Sequence, residues 1–248
     1  MSKVVLVLGP SGAGKTTSIG QLPEVNIKGL DPKETFIFNS LGKGLPFPGS
    51  ELDYTYWHKE TNPNGNMLRT SNSIVVLQWM DFINNKMPHI KNMVIDDNTH
   101  QSAMEYIRRI RETTWDKFND IAANMVAIAE KAGNLRDDLT VFILHHTTTE
   151  GDGILEEKKI KAQTLGKLVD QKLGSYEAFF TVILLAQKAK SSDGKIEYFF
   201  LTQDADSTTK TPIGMFSDER IPNDLGLVRD TITSYYTKKR VKVKEESK

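Results

Sequence analysis

The chain has 248 residues, enough to bury one sizeable α/β core but cramped for two full domains. Its 32 basic and 32 acidic side chains cancel, which excludes a bulk electrostatic pull toward nucleic acid or membrane, so any such affinity must be local. The absence of cysteine excludes disulfides, thiolate catalysis and zinc–thiolate sites, and no apolar run approaches the ~20 residues needed to span a bilayer.

The amino end carries no signal-like apolar stretch, and a cytosolic setting is expected. Residues 3–8, KVVLVL, are a β-branched apolar run suited to a strand buried on both faces. Gly9, Pro10, Ser11, Gly12, Ala13, Gly14, Lys15 and Thr16 follow, and they match the phosphate-binding pattern G-x-x-x-x-G-K-[ST] at every fixed position. The glycines let successive N–H groups converge on β- and γ-phosphates at a helix N-terminus. Lys15 adds a point charge, and Thr16 offers a hydroxyl to Mg²⁺. The nucleotide-binding stretch extends to Thr17, and the helix it opens is expected to be short because Pro23 lies a turn or two beyond.

A second strand is expected at 35–38, TFIF. The stretch 39–66 is dense in Gly, Pro and Asn and reads as loop, with one alternating island at 54–57 suited to an edge strand. Lys43, between two glycines in this loop, reads as a solvated turn lysine ahead of an anion contact. From Ser73 the run SIVVLQWMDFINNKMP is apolar almost all round, as expected for a helix packed on a sheet and closed by Pro88. Residues 92–97, NMVIDD, form a buried strand ending in two carboxylates, the shape of a Walker B segment. The strand's C-terminal end places Asp96 where ligands of open parallel sheets bind, suited to hold the water shell of Mg²⁺. Asp97 points elsewhere and is the candidate to orient or deprotonate an attacking water.

Residues 101–132 read as helix in two pieces broken near 113–114, with a core stripe through Phe118, Ile121, Met125, Ile128 and Ala132. Another buried strand at 139–144 ends in His145 and His146, either of which is a candidate to sense a γ-phosphate. Neighbours on a strand point to opposite faces, so the two do not readily share one metal ion. A polar loop then carries Lys158, Lys159 and Lys161, candidates for DNA contact although nearby acids offset them. A helix is suggested at 166–175, and strands at 180–186 and 195–201 join through SSDG as a hairpin on the sheet's edge. Lys210 follows that hairpin. Lys238, Lys239 and Arg240 begin a run of five basic residues in seven, a tail expected to be disordered and also the most basic patch in the chain.

Across roughly residues 1–216 the chain resembles the RecA-like branch of P-loop ATPases, and more narrowly the small phage-encoded RecA-like proteins of the Sak type that anneal single strands. The layout carries the resemblance: GPSGAGKT, LGKGLPF after the second strand, MVIDD, VFILHHTT, the lysine-bearing loop, and TKTPIGMF after the late strand. It implies one RecA-like domain over 1–236 with a mostly parallel central sheet flanked by helices, and a tail at 237–248. It also implies ATP and Mg²⁺ as cofactors, single-stranded DNA and a single-strand-binding protein as partners, a homo-oligomer, and the cytoplasm of a phage-infected bacterial host. By the same resemblance Lys210 is the candidate to enter a neighbour's nucleotide site. The family's usual catalytic glutamate is missing where the second strand ends in Asn39-Ser40, leaving Asp97 or Glu60 as candidate base. Two other readings stand beside this one. GPSGAGKT is close to the loop of guanylate kinases, though the only string like their downstream segment, HHTTTEGDG, lies far along the chain. ATP could also act as an assembly switch without DNA.

Overall fold

The computed structural model describes residues 1–151, 158–165 and 175–238. Residues 166–174, most of the helix expected at 166–175, lie outside the described residues, as do Lys239 and Arg240 of the basic tail. In chain order the elements are β1 (Lys3–Leu8), β2 (Thr35–Asn39), α1 (Ser50–Asp53), β3 (Met67–Arg69), α2 (Ser73–Lys86), β4 (Asn92–Asp96), α3 (Asn98–Arg108), α4 (Asp116–Gly133) and β5 (Thr140–His145). Then come β6 (Thr147–Glu150), β7 (Lys159–Ala162), β8 (Val182–Lys190), β9 (Ile196–Leu201), β10 (Arg220–Pro222) and α5 (Leu225–Thr237).

Eight of the strands form one sheet in the order β10-β9-β8-β1-β5-β4-β2-β3. From β8 across to β3 every pairing is parallel, whereas β9 runs antiparallel to β8 and β10 antiparallel to β9. The fold is therefore α/β with a mainly parallel central sheet flanked by helices, as the sequence implied. Period-2 alternation along β1 shows why the sheet is covered on both sides. Leu6 and Leu8 face a cluster containing Val76, Met80 and Ile83 of α2 and Met125 and Ile128 of α4. Val5 and Val7 face the opposite cluster, which holds Ile19 and Leu225, Val228 and Ile232 of α5.

Two local devices fix the position of the site. Asn72 caps α2 by accepting from the Ile74 N–H at 3.0 Å, and the helix ends at Met87 ahead of Pro88. Asp224 caps α5 by accepting from the Gly226 and Leu227 N–H groups at 2.8 and 3.1 Å. The same buried carboxylate also accepts from the N–H groups of Lys28 and Gly29 at 2.6 and 3.0 Å. Next to it, Asn223 Nδ2 donates to Ala13 O at 3.3 Å, so the start of α5 clasps the phosphate loop and the chain that leaves it.

Four expectations need correction. The segment after Lys15 forms a three-residue 3₁₀ turn, Thr17–Ile19, instead of an α-helix. Gly20 is extended there with Phe47 packed against it, and Ser18 Oγ bonds back to Lys15 O at 2.5 Å, so the turn has no room to propagate. The edge strand beside β2 is Met67–Arg69, and the island at 54–57 contributes only a bridge from Tyr56 to Met67. The late hairpin is not the edge of the sheet: β8 is parallel to β1, and β10 pairs outside β9, with Pro222 tolerated in this outermost strand. The polar stretch after β5 is not all loop: among its described residues β6 pairs antiparallel with β7.

Candidate active site

Register brings the ends of the central strands together. Leu8 pairs with His145 and with Leu185, and Asn39 with Asp96, so the loops leaving β1, β5, β4 and β2 open on one edge of the sheet. There Ser11, Gly12, Ala13, Gly14, Lys15, Thr16 and Thr17 line a cavity of about 400 Å³ with Asp96, Asp97 and His146. Gly12 and Gly14 sit at φ of 75° and 87°, left-handed values that a Cβ disfavours, and these turns fold the loop around the cavity. Gly9 lies against Ala186 of β8, and exposed Pro10 lines a separate cavity with Lys188. A larger cavity of about 540 Å³, lined among others by Asp31, Asp53 and His89, holds none of the phosphate-loop residues.

Lys15 Nζ folds back over its loop and donates to Gly9 O at 2.6 Å and Pro10 O at 3.0 Å. Burial pulls its ammonium down to about 8, against the opposing pull of the Asp97 and Asp96 charges. Thr16 Oγ1 donates to Asp96 Oδ1 at 2.9 Å. Burial pushes the Asp96 carboxyl up to about 6, a rise that the Thr16 bond and the Lys15 and Lys43 charges reduce and the Asp97 charge adds to. A hydroxyl and a desolvated carboxylate form a hard oxygen donor pair of the kind Mg²⁺ takes.

Asp97 follows β4 in a left-handed conformation, φ 63° and ψ 58°, uncommon for a side chain that is not glycine. This turn swings its carboxylate between two imidazoles. Asp97 Oδ1 lies 2.8 Å from His100 Nδ1 on the first turn of α3, and Asp97 Oδ2 lies 3.3 Å from His146 Nε2 just past β5. The His146 N–H donates to Thr99 Oγ1 at 2.8 Å and ties that strand end to the same helix. Burial raises the Asp97 carboxyl, but the contacts with His146 and His100 outweigh it and hold the group well below the usual carboxylate range. A carboxylate this reluctant to take a proton is suited to orienting a partner more than to deprotonating one.

The two candidate histidines part company. His145 is fully buried, its Nε2 2.7 Å from Gln163 O and its Nδ1 3.4 Å from Asn98 Nδ2, with its ring against Tyr176. Burial pushes it down to about 4, so it is a neutral core residue and only His146 reaches the cavity. Lys43 is exposed, as the solvated-turn reading expects, and it also lines the cavity beside Asp96. The sequence reading missed His100 and Tyr198, which also line it. A histidine three residues after Asp97, one helical turn on, was the available signal for His100; nothing marked Tyr198.

Other candidates lie elsewhere. Glu60 is in an exposed turn, its N–H 3.3 Å from His58 Nδ1, and does not line this cavity. Lys210 is exposed and pairs through its backbone with Ile183 of β8. Lys158 and Lys159 are exposed at the start of β7, whereas Lys161 is tied to Glu150 Oε2 at 2.8 Å. Lys238 ends α5.

No protein-family model matches this sequence, and no curated protein does. Among solved structures, the KaiC-like protein PH0186 of the hyperthermophilic archaeon Pyrococcus horikoshii OT3 is similar over 85% of this chain and 82% of its own length, at 14% identity and a TM-score of 0.41.

Proposed function

We propose that residues 1–236 act as one RecA-like P-loop ATPase domain that binds and hydrolyses Mg·ATP in the cavity under the phosphate loop. The contact between Thr16 Oγ1 and Asp96 Oδ1, 2.9 Å, carries the reading, because it sets a metal-binding hydroxyl and carboxylate side by side beneath a loop built for phosphates. The strand order supports it, with β5 between β1 and β4. Lys15 and Lys43 supply positive charge to the phosphates, and Asp97, with its low proton affinity, orients the group that activates water. Thr16 and Asp96 would hold Mg²⁺, which would supply charge neutralisation to a bound nucleotide's phosphates.

The same proposal extends to single-stranded DNA and to strand annealing in phage recombination, beside a single-strand-binding protein and in the cytoplasm of an infected bacterium. Exposed Lys158 and Lys159 and the tail from Lys238 supply local positive charge to a chain with none overall. Exposed Tyr236, next to that tail, offers a face for bases to stack on. The assembly is a homo-oligomer in which Lys210 reaches the neighbouring nucleotide.

The test is ATP hydrolysis by the full chain with and without single-stranded DNA, beside a test for phosphate transfer to GMP. Hydrolysis that rises with DNA supports the proposal. Transfer to the monophosphate without DNA binding at low salt would replace it with a nucleotide kinase.

A further inference from the structure

The phosphate cavity contains a second set of donors that the Mg²⁺ pair does not use. Asp97, His100 and His146 each turn one ligating atom toward the others, and all three atoms lie within 4.8 Å of one another. The Asp97 carboxylate lies between the two imidazoles, its Oδ1 2.8 Å from His100 Nδ1 and its Oδ2 3.3 Å from His146 Nε2. Ligands held at about 2.0–2.2 Å around a tetrahedral zinc ion stand roughly 3.3–3.6 Å apart, so side-chain rotation that closes the 4.8 Å limit onto one Asp97 oxygen brings the three atoms onto one ion.

A set of ion pairs alone leaves this arrangement incompletely satisfied. Asp97 Oδ1 and His100 Nδ1 are shielded from solvent, and although only 2.8 Å apart neither forms an aligned hydrogen bond with any described residue. Buried polar atoms ordinarily find partners. The backbone is also committed to the arrangement. Asp97 occupies a left-handed conformation that side chains other than glycine adopt at a cost, and such positions gather at functional sites. His100 is fixed one helical turn later, and His146 is held through its N–H to Thr99.

We propose that Asp97, His100 and His146 form a binding site for one divalent transition-metal ion, Zn²⁺ by the chemistry of the donors. Two imidazole nitrogens and one carboxylate suit zinc and its neighbours and are poorly matched to Mg²⁺ or Ca²⁺, which prefer oxygen alone. Three protein ligands leave a coordination position open, the form of a reactive and not a structural zinc site. That position faces the cavity, since all three residues line it together with Lys15 and Thr16, and it is available to a water molecule or a phosphate oxygen. The site is distinct from the Thr16–Asp96 pair and does not depend on ATP hydrolysis.

The experiment uses the full chain stripped of metal and nucleotide. Co²⁺ is titrated while visible absorption is recorded, and Zn²⁺ is then added in competition. One equivalent of Co²⁺ per chain should give the strong visible bands of a four- or five-coordinate site, and Zn²⁺ should abolish them. His100→Gln and His146→Gln should each weaken binding by roughly 100-fold or more, more than the loss expected for an outer-shell residue. Circular dichroism and thermal unfolding establish that these variants fold, and Asp97→Asn provides a third, nearly isosteric removal. Lys15→Ala should leave the cobalt spectrum intact whatever it does to nucleotide, which separates this site from the ATPase reading. Binding no tighter than that of Mg²⁺, or a spectrum indifferent to His100→Gln and His146→Gln in folded protein, would overturn the proposal.

Discussion

Thr16 Oγ1 donates a hydrogen bond to Asp96 Oδ1 at 2.9 Å, joining the phosphate loop after β1 to the carboxylate at the end of β4. The two strands are not neighbours: β5 lies between them, and the bond spans this gap at the open edge of the sheet. Because Asp96 is buried there and pushed up to about 6, the pair is held at some cost to the fold.

Asp96→Asn tests this directly. The raised value means the neutral form is favoured in the folded chain, so stability is greatest below the usual 3.8, falls as pH rises from 3.8 through about 6, and stays low above that. Asparagine mimics the neutral acid and can still accept from Thr16. Above pH 6, without metal, the variant should be more stable by on the order of 2 kcal/mol, from about two units at 1.36 kcal/mol each, discounted. It should also lose the stabilisation that Mg·ATP gives the wild type. Urea unfolding at pH 7.5, with and without Mg·ATP, measures both, and a destabilised variant would contradict the account.

Lys15 sets a pH limit on binding. Phosphates need its charged form, and burial has pulled that equilibrium down to about 8. Affinity for Mg·ATP should hold below pH 8 and fall as pH rises through it, approaching tenfold per unit. For the fold alone the sign is opposite, since the cost of the buried charge is present below about 8 and is relieved as pH rises toward 10.5. Calorimetric affinities from pH 7 to 9.5 test the limit, and Lys15→Arg, which stays charged, should flatten the curve. A flat wild-type curve would show that Lys15 does not meet the phosphates.

Asp224 should be a stability residue with an effect on the site. It accepts four backbone N–H groups from two segments, and removing it strands all of them. Asp224→Ala is expected to cost about 2–4 kcal/mol, the loss of a helix cap plus further buried donors. Asp230→Ala, which removes the exposed partner of Lys28 nearby, should cost about 0.5 kcal/mol or less. Equal losses in the two variants by urea unfolding would contradict this clasp.

Much of the site was legible because it is built from short-range patterns. The run KVVLVL and the loop after it marked β1 and the wall of the cavity, and NMVIDD marked β4 and Asp96. What escaped depends on partners distant in sequence. The strands Met67–Arg69 and Arg220–Pro222 are three residues each, and they exist because β2 and β9 present free edges to them. Which histidine reaches the cavity was decided by where β5 ends: His145 is its last paired residue and points into the core, and His146 lies beyond. Lys43 and Tyr198 come to the cavity on a loop and on the far hairpin, and neither placement leaves a periodic trace.

The central claim is that this cavity binds and turns over ATP through Lys15. Steady-state hydrolysis of Mg·ATP by wild type and by Lys15→Ala, each checked for fold by circular dichroism, measures it. Wild-type turnover that disappears in a folded Lys15→Ala variant is the expected result. Turnover in that variant at the wild-type rate would place the chemistry outside the phosphate loop and contradict the account.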